Sequence, residues 1–175
     1  MSSTAGLFFY RLNANYSRSL LNRMIDVIQV KGIPIICDPA AVFDTSHISF
    51  ALMHASRAIL NGRARARDPA MEVMRWLAGA HQISNGSELM APTPDSLHVL
   101  VIVLPAGWPG PDDGTVPIPA IVRGEHPFVH GLQPLSEPIF GGSEALKTLG
   151  LESRNDPDTD RKEVLEHISS LELDH

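Results

Sequence analysis

The chain has 175 residues, of which 43% are hydrophobic and 19% charged, with a formal net charge of −6. That length suits one ordinary domain with a sizeable core, and the acidic total argues against a protein that coats nucleic acid over its whole surface. It leaves a local basic site open, because binding follows the local field more than the total charge.

Cys37 is the single cysteine, so no internal disulfide and no cysteine-rich zinc site can form. It lies in the apolar run "IPIIC" and reads as a buried structural thiol. The opening "MSSTAGLFFYRL" lacks the basic and apolar regions of a signal peptide, and the run Val99–Leu104 is far too short to span a bilayer. The expectation is a soluble, cytoplasmic protein with no membrane partner.

In chain order, "GLFFYRL" has strand character. Leu20, Leu21, Met24, Ile25 and Ile28 then recur at helical spacing, with Gly32 placed as the stop. "IPIICDP" reads as a buried strand. The next helix takes Ser46 as its N-cap, Ile48, Leu52, Ala55 and Ile59 as its apolar stripe, and Gly62 as its end. Its opposite face carries His47, Phe50, His54, Arg57 and Asn61.

Asp68-Pro69 opens a further helix with inner face Ala70, Val73, Met74 and Leu77, which Gly79 closes. "HQISNGSELM" is a short helix or turn, and "LHVLVIVLP" is the clearest strand in the chain. Segment 105–142 holds eight of the fourteen prolines and excludes continuous helix, although "AIVRG" has strand character. "SEALKTLG" is a short helix capped by Ser143, and 152–160 is an acidic linker. The last helix carries Val164, Leu165, Ile168 and Leu171 on one side. Residues Leu151–His175 hold eight acids against three bases.

This order predicts one α/β or α+β domain over 1–175. Its sheet is small, mixed and mainly antiparallel, and helices cover it.

Chemistry-bearing residues concentrate in one bend. Arg63, Arg65 and Arg67 alternate with Ala64 and Ala66, so an extended connection points all three guanidinium groups the same way. Such a fork suits phosphate oxygens, and Arg57 and His54 extend it. His47 and His54 share a face but stand about 10 Å apart along the helix, too far to ligate one metal. His126 and His130 read as exposed loop histidines. A different use of the chain, as an independent small-molecule enzyme or anion-binding domain, would draw on His47, His54, Asp44 and the Gly141-Gly142 helix start. No phosphate-binding loop, nucleophile elbow or kinase signature appears.

Segment 50–84 resembles the small tRNA-binding accessory subunit of the KEOPS complex. The resemblance rests on His54-Ala55-Ser56-Arg57-Ala58, on the basic bend Asn61-Gly62-Arg63-Ala64-Arg65, on Glu72 in "AMEVMRWLAG" and on Gly79-Ala80-His81-Gln82-Ile83. The final "VLEHISSLELD" is also similar, whereas 85–142 departs from the family pattern. The resemblance implies a non-catalytic protein without cofactor or metal. Such a protein binds the 3′ CCA end of tRNA and docks on the small atypical kinase/ATPase subunit, while another subunit transfers a threonylcarbamoyl group to the adenosine beside the anticodon. The implied RNA-binding residues are His54, Arg57, Arg63, Arg65, Arg67, His81 and Gln82. Ile83 and Trp76 are implied on the partner side.

Overall fold

A computed structural model describes residues 4–28, 32–110, 120–123 and 126–173. Strand β1 (Thr4–Leu12) is followed by α1 (Arg18–Ile28), β2 (Ile33–Cys37), α2 (Thr45–Leu60), α3 (Pro69–Ala78) and α4 (Ile83–Met90). Then come β3 (His98–Leu104), β4 (Ala120–Arg123), β5 (Leu132–Pro134), α5 (Ala145–Thr148) and α6 (Pro157–Ser169), which ends in a 3-10 turn over Ser170–Leu173. The strands form one sheet in the order β2-β3-β1-β4, with β5 also on β1. Every pairing is antiparallel except β1 with β4, which is parallel. The mixed, mainly antiparallel α+β domain expected from the sequence is the one found.

The two-residue period of the strands divides the core into two layers. Leu7, Phe9, Leu100, Ile102 and Leu104 face α2, α3 and α6. Phe8, Tyr10, Val99, Val101 and Val103 face Leu20, Met24 and Ile28 of α1. A strand apolar on both faces must be covered on both, which is why "HVLVIVL" sits inside the sheet with helices above and below. Cys37 is fully buried there, and burial pushes its thiol up to about 12, as a structural role requires.

The outer edge of β1 is shared. β4 takes Thr4 to Leu7 and β5 takes Tyr10 to Leu12. In the gap the Phe9 N–H donates to Nε2 of His126, and Leu135 N–H donates to the Phe9 carbonyl. His126 also meets Phe8 and Tyr10 edge-on, so it is a packing residue and not the exposed loop histidine expected. Closing an edge this way removes an unpaired row of backbone groups.

Helix ends follow local chemistry, with some corrections. Asp44, not Ser46, caps α2, and its carboxylate accepts from the His47 N–H. Asp68 caps α3 with proline in the first turn, as expected. Both α2 and α3 close in the same glycine motif. Arg63 N–H reaches the Ala58 carbonyl and Gly62 N–H the Ile59 carbonyl, while Ala80 N–H reaches Arg75 and Gly79 N–H reaches Trp76. Gly62 and Gly79 hold the positive φ this motif needs, 70° and 62°. Ser143 caps nothing. Its hydroxyl donates to Asp160, a buried carboxylate that also accepts from Ser153 and from the Arg154 N–H. The bonds from Ser153, Arg154 and Ser143 hold that carboxyl below its ordinary range. The end of the expected acidic linker is in fact the first turn of α6, where Asp158 and Asp160 complement the helix dipole.

His47 fastens α2 to α3. The Phe43 N–H donates to Nδ1 at 3.0 Å, and Nε2 donates to the Leu77 carbonyl at 2.8 Å, a pattern that fits only the neutral ring. Burial pushes its pKa down from 6.5 to about 4. The unfolded chain therefore takes up a proton near pH 6.5 that the folded chain refuses until about pH 4. The resulting stability is complete above pH 6.5 and is lost as pH falls through that window. A His47→Gln variant has no such group. The stability difference between wild type and variant should shrink by about 2–3 kcal/mol between pH 7.5 and pH 4.5. Urea unfolding at both values reads it.

Candidate nucleic-acid interface

Between α2 and α3 the chain turns and then bends at Arg65, Arg67 and Asp68 instead of running extended, yet the alternation read from the sequence holds in exposure. Arg63, Arg65 and Arg67 are exposed, while Ala64 and Ala66 are half-buried. Ala64 packs on the main core. The bend does not stay in place through these contacts alone. Beneath it lies Glu72, with 0% of its surface exposed. Its Oε1 accepts from Arg65 N–H at 3.1 Å, Ala66 N–H at 3.2 Å and Arg75 Nε at 3.0 Å. Its Oε2 accepts from Arg75 Nη2 at 2.8 Å and from the Trp76 indole at 3.1 Å.

Five donors on one buried carboxylate is what such a group needs, since an isolated charge there would be costly. Burial pulls the Glu72 pKa upward, but the Arg75 guanidinium, the Ala66 N–H and the Trp76 indole outweigh it and hold the carboxyl below its ordinary value. Arg75 is itself buried, and its Nη1 reaches the Ala80 carbonyl at 3.3 Å. The pair thus ties the bend, the body of α3 and the turn into α4 together.

That turn forms one wall of an open cavity of about 540 Å³, lined among others by Gly79, His81, Gln82, Asn85, Leu149 and His167. Arg65 connects cavity and bend, because its Nη1 donates to the His81 carbonyl at 3.3 Å. His167 arrives from α6. A Cβ on Gly79 would come within 2.6 Å of its ring, so only glycine lets α6 close so tightly on the α3 end. Burial, and then His81, lower the His167 pKa, so its ring is neutral at pH 7. A neutral imidazole and side-chain amides suit the faces and edges of unstacked bases, and the neighbouring arginines suit phosphates.

Arg63, Arg65, Arg67, His81 and Gln82 are therefore exposed around one locality, with Arg57 and Ile83 half-buried beside them. Two expected contact residues are not on the surface. His54 is 4% exposed and Trp76 1%. Their rings stack on each other at 4.9 Å and 11°, the His54 Nδ1–H donates to Glu172 at 2.6 Å, and Nε2 stands 3.1 Å from the Ser169 hydroxyl. On the face of α2 that its sequence marks as polar, His54 is covered by Trp76 of α3, by α6 and by the turn after it. His54 thus presents no ring to RNA, and Trp76 no indole to a partner protein.

The residues of the enzyme or anion-binding alternative are similarly engaged. His47 bridges two backbone groups, and Asp44 caps α2 and pairs with Arg161 at 2.7 Å. The Gly141 N–H serves the Pro39 and Val42 carbonyls, and the Gly142 N–H serves that of Phe43. Among the described residues no group of three or more His, Cys, Asp or Glu could hold a metal ion, and no helix is long and apolar enough to cross a membrane.

Sequence reasoning did not find Asn85, Leu149 or His167, nor the use of Glu72 as an anchor. The Glu72, Arg75 and Trp76 spacing was readable as one helix face. His167 had no such signal, because only the packing of α6 brings it to Gly79. In comparisons with known proteins, no family model matches the chain, and neither does any curated protein sequence.

Replacing Glu72 tests the anchor. Glu72→Gln leaves Arg75 buried without its counter-charge and should cost about 3–5 kcal/mol in urea unfolding at pH 7. Because the folded carboxyl titrates below its unfolded value of 4.5, its contribution is complete above that pH and falls away on further acidification. The gap between wild type and variant should close there.

Proposed function

We propose that this chain is a non-catalytic, tRNA-binding accessory subunit of the KEOPS type, acting in the cytoplasm without a cofactor of its own. The arginine bend takes phosphates at the single-stranded 3′ CCA end, and the cavity beside it takes the exposed bases. The observation that carries this reading is the joining of the two. Three outward arginines stand on one pinned backbone, and Arg65 reaches directly to the turn that lines the cavity.

Charge distribution supports it. The total is −6, and eight acids lie after Gly150, so the bend is a positive spot on an acidic background. Such a field favours recognition of a strand end over wrapping of a duplex. The engaged state of His47, Asp44 and the Gly141-Gly142 amides favours a binding role over catalysis. Ile83, half-buried at the start of α4, supplies an apolar contact for the small kinase/ATPase subunit. Trp76 supports that region from inside. Threonylcarbamoyl transfer belongs to a different subunit.

Fluorescence anisotropy with tRNA across a salt series tests the RNA contact. An Arg63→Glu/Arg65→Glu variant should bind at least about tenfold more weakly, with the logarithmic salt slope shallower by about 0.7 for each lost phosphate contact on a single strand. Trimming the CCA end from the tRNA should reproduce much of the loss. Equal affinity for reversed and wild-type protein would overturn the reading.

The protein contact is tested by co-purification with the kinase/ATPase subunit. Ile83→Glu should abolish that association while tRNA affinity stays within about threefold. Retained association would remove Ile83 from the interface.

A further inference from the structure

We infer that Glu72, a residue that no RNA can touch, is the positioning residue of the arginine bend and sets how many phosphates the bend engages at once. This inference rests on the reading of the bend as an RNA contact and adds the physical control of that contact.

A connection of eight residues carrying three arginines would ordinarily sample many backbone shapes, and each side chain has many rotamers of its own. Here the backbone is held at three points. Arg63 N–H is fixed to the Ala58 carbonyl at the start, Asp68 caps α3 at the end, and Arg65 and Ala66 N–H both point into the Glu72 carboxylate in the middle. Two successive N–H groups on one carboxylate oxygen hold the chain in a fixed bend at Arg65, and the side chains of Arg63, Arg65 and Arg67 are left on the solvent side. Ordering the bend before binding removes a cost that association would otherwise carry.

The carboxylate could have defeated this by cancelling the positive field above it. Arg75 prevents that. It holds Glu72 through two bonds from below, at 3.0 and 2.8 Å, so the buried pair is close to neutral and Glu72 does not cancel the three outward charges. Arg65 is further directed toward the cavity by its bond to the His81 carbonyl. Glu72 therefore gives the bend rigidity without lowering its charge.

The experiment separates positioning from simple stability by reading the salt slope of folded protein. Glu72→Ala removes both inward acceptors. Ala66→Pro removes one of the two donors and leaves the Glu72–Arg75 pair and the core unchanged. Glu72→Gln keeps an oxygen for the two N–H groups but loses the charge. All are measured with tRNA at 10 °C after circular dichroism confirms the fold. Glu72→Ala and Ala66→Pro should bind about tenfold more weakly, with slopes shallower by about 0.7 to 1.4, the loss of one or two phosphate contacts. Glu72→Gln should keep the wild-type slope despite its lower stability. A role confined to stability would leave the slope of every folded variant unchanged, and that result overturns the inference. Should Glu72→Ala not fold, Ala66→Pro decides alone. The Arg63→Glu/Arg65→Glu protein serves as the control. If it binds like wild type, the RNA reading itself fails and this inference with it. If it binds weakly while the Ala66→Pro slope is unchanged, only the positioning role fails.

Discussion

A carboxylate cannot be taken wholly out of water unless its lone pairs find donors and its charge finds a partner. Glu72 meets both conditions by drawing on three separate stretches of chain: Arg65 and Ala66 in the bend, Arg75 and Trp76 on its own helix, and through Arg75 the Ala80 carbonyl in the next turn. Loss of Arg75 would leave the charge unmatched, and loss of a neutral N–H donor would leave it with one hydrogen bond fewer. The bend therefore holds one shape, Trp76 holds one orientation, and the α3–α4 turn stays at a fixed distance from the arginines. A loop that looks free in the sequence is thus among the better determined parts of the domain.

The same matching of polar groups continues inward. Trp76 gives its N–H to Glu72 and its face to His54, whose ring nitrogens meet Glu172 and Ser169 in the last turns of the chain. His47, two turns earlier on α2, joins Phe43 to Leu77. Each histidine on that face satisfies backbone or side-chain groups that helix packing would otherwise strand. Their chemistry goes into holding α2, α3 and α6 together, whereas the three arginines of the bend, His81 and Gln82 stay exposed.

Electrostatics and shape divide the work at the surface. Arg63, Arg65 and Arg67 supply a field that reaches about one Debye length into solution. The cavity beyond His81 acts only at contact, through a neutral His167 ring and through Gln82 and Asn85. Charge and shape are joined here by the bond from Arg65 Nη1 to the His81 carbonyl, which links the bend to the cavity wall.

The sequence by itself determined the elements: the strand "HVLVIVL", the Asp68-Pro69 helix start, the glycine stops at Gly62 and Gly79, and the outward alternation of the arginines. These follow from rules that act over a few residues, such as period, capping and positive φ. Tertiary structure alone decided which face of α2 is buried. Periodicity marked His47, Phe50 and His54 as one stripe, but it could not state that α3 would engage the His47 ring, or that α3 and α6 together would bury His54. It also alone brought His167 to Gly79, His126 to the β1 edge and the Ser143 hydroxyl to Asp160. The reason is common to all of these. A polar side chain is assigned its role by the partner that satisfies it, and when that partner lies far along the chain, only the folded packing of two distant elements reveals which one it is.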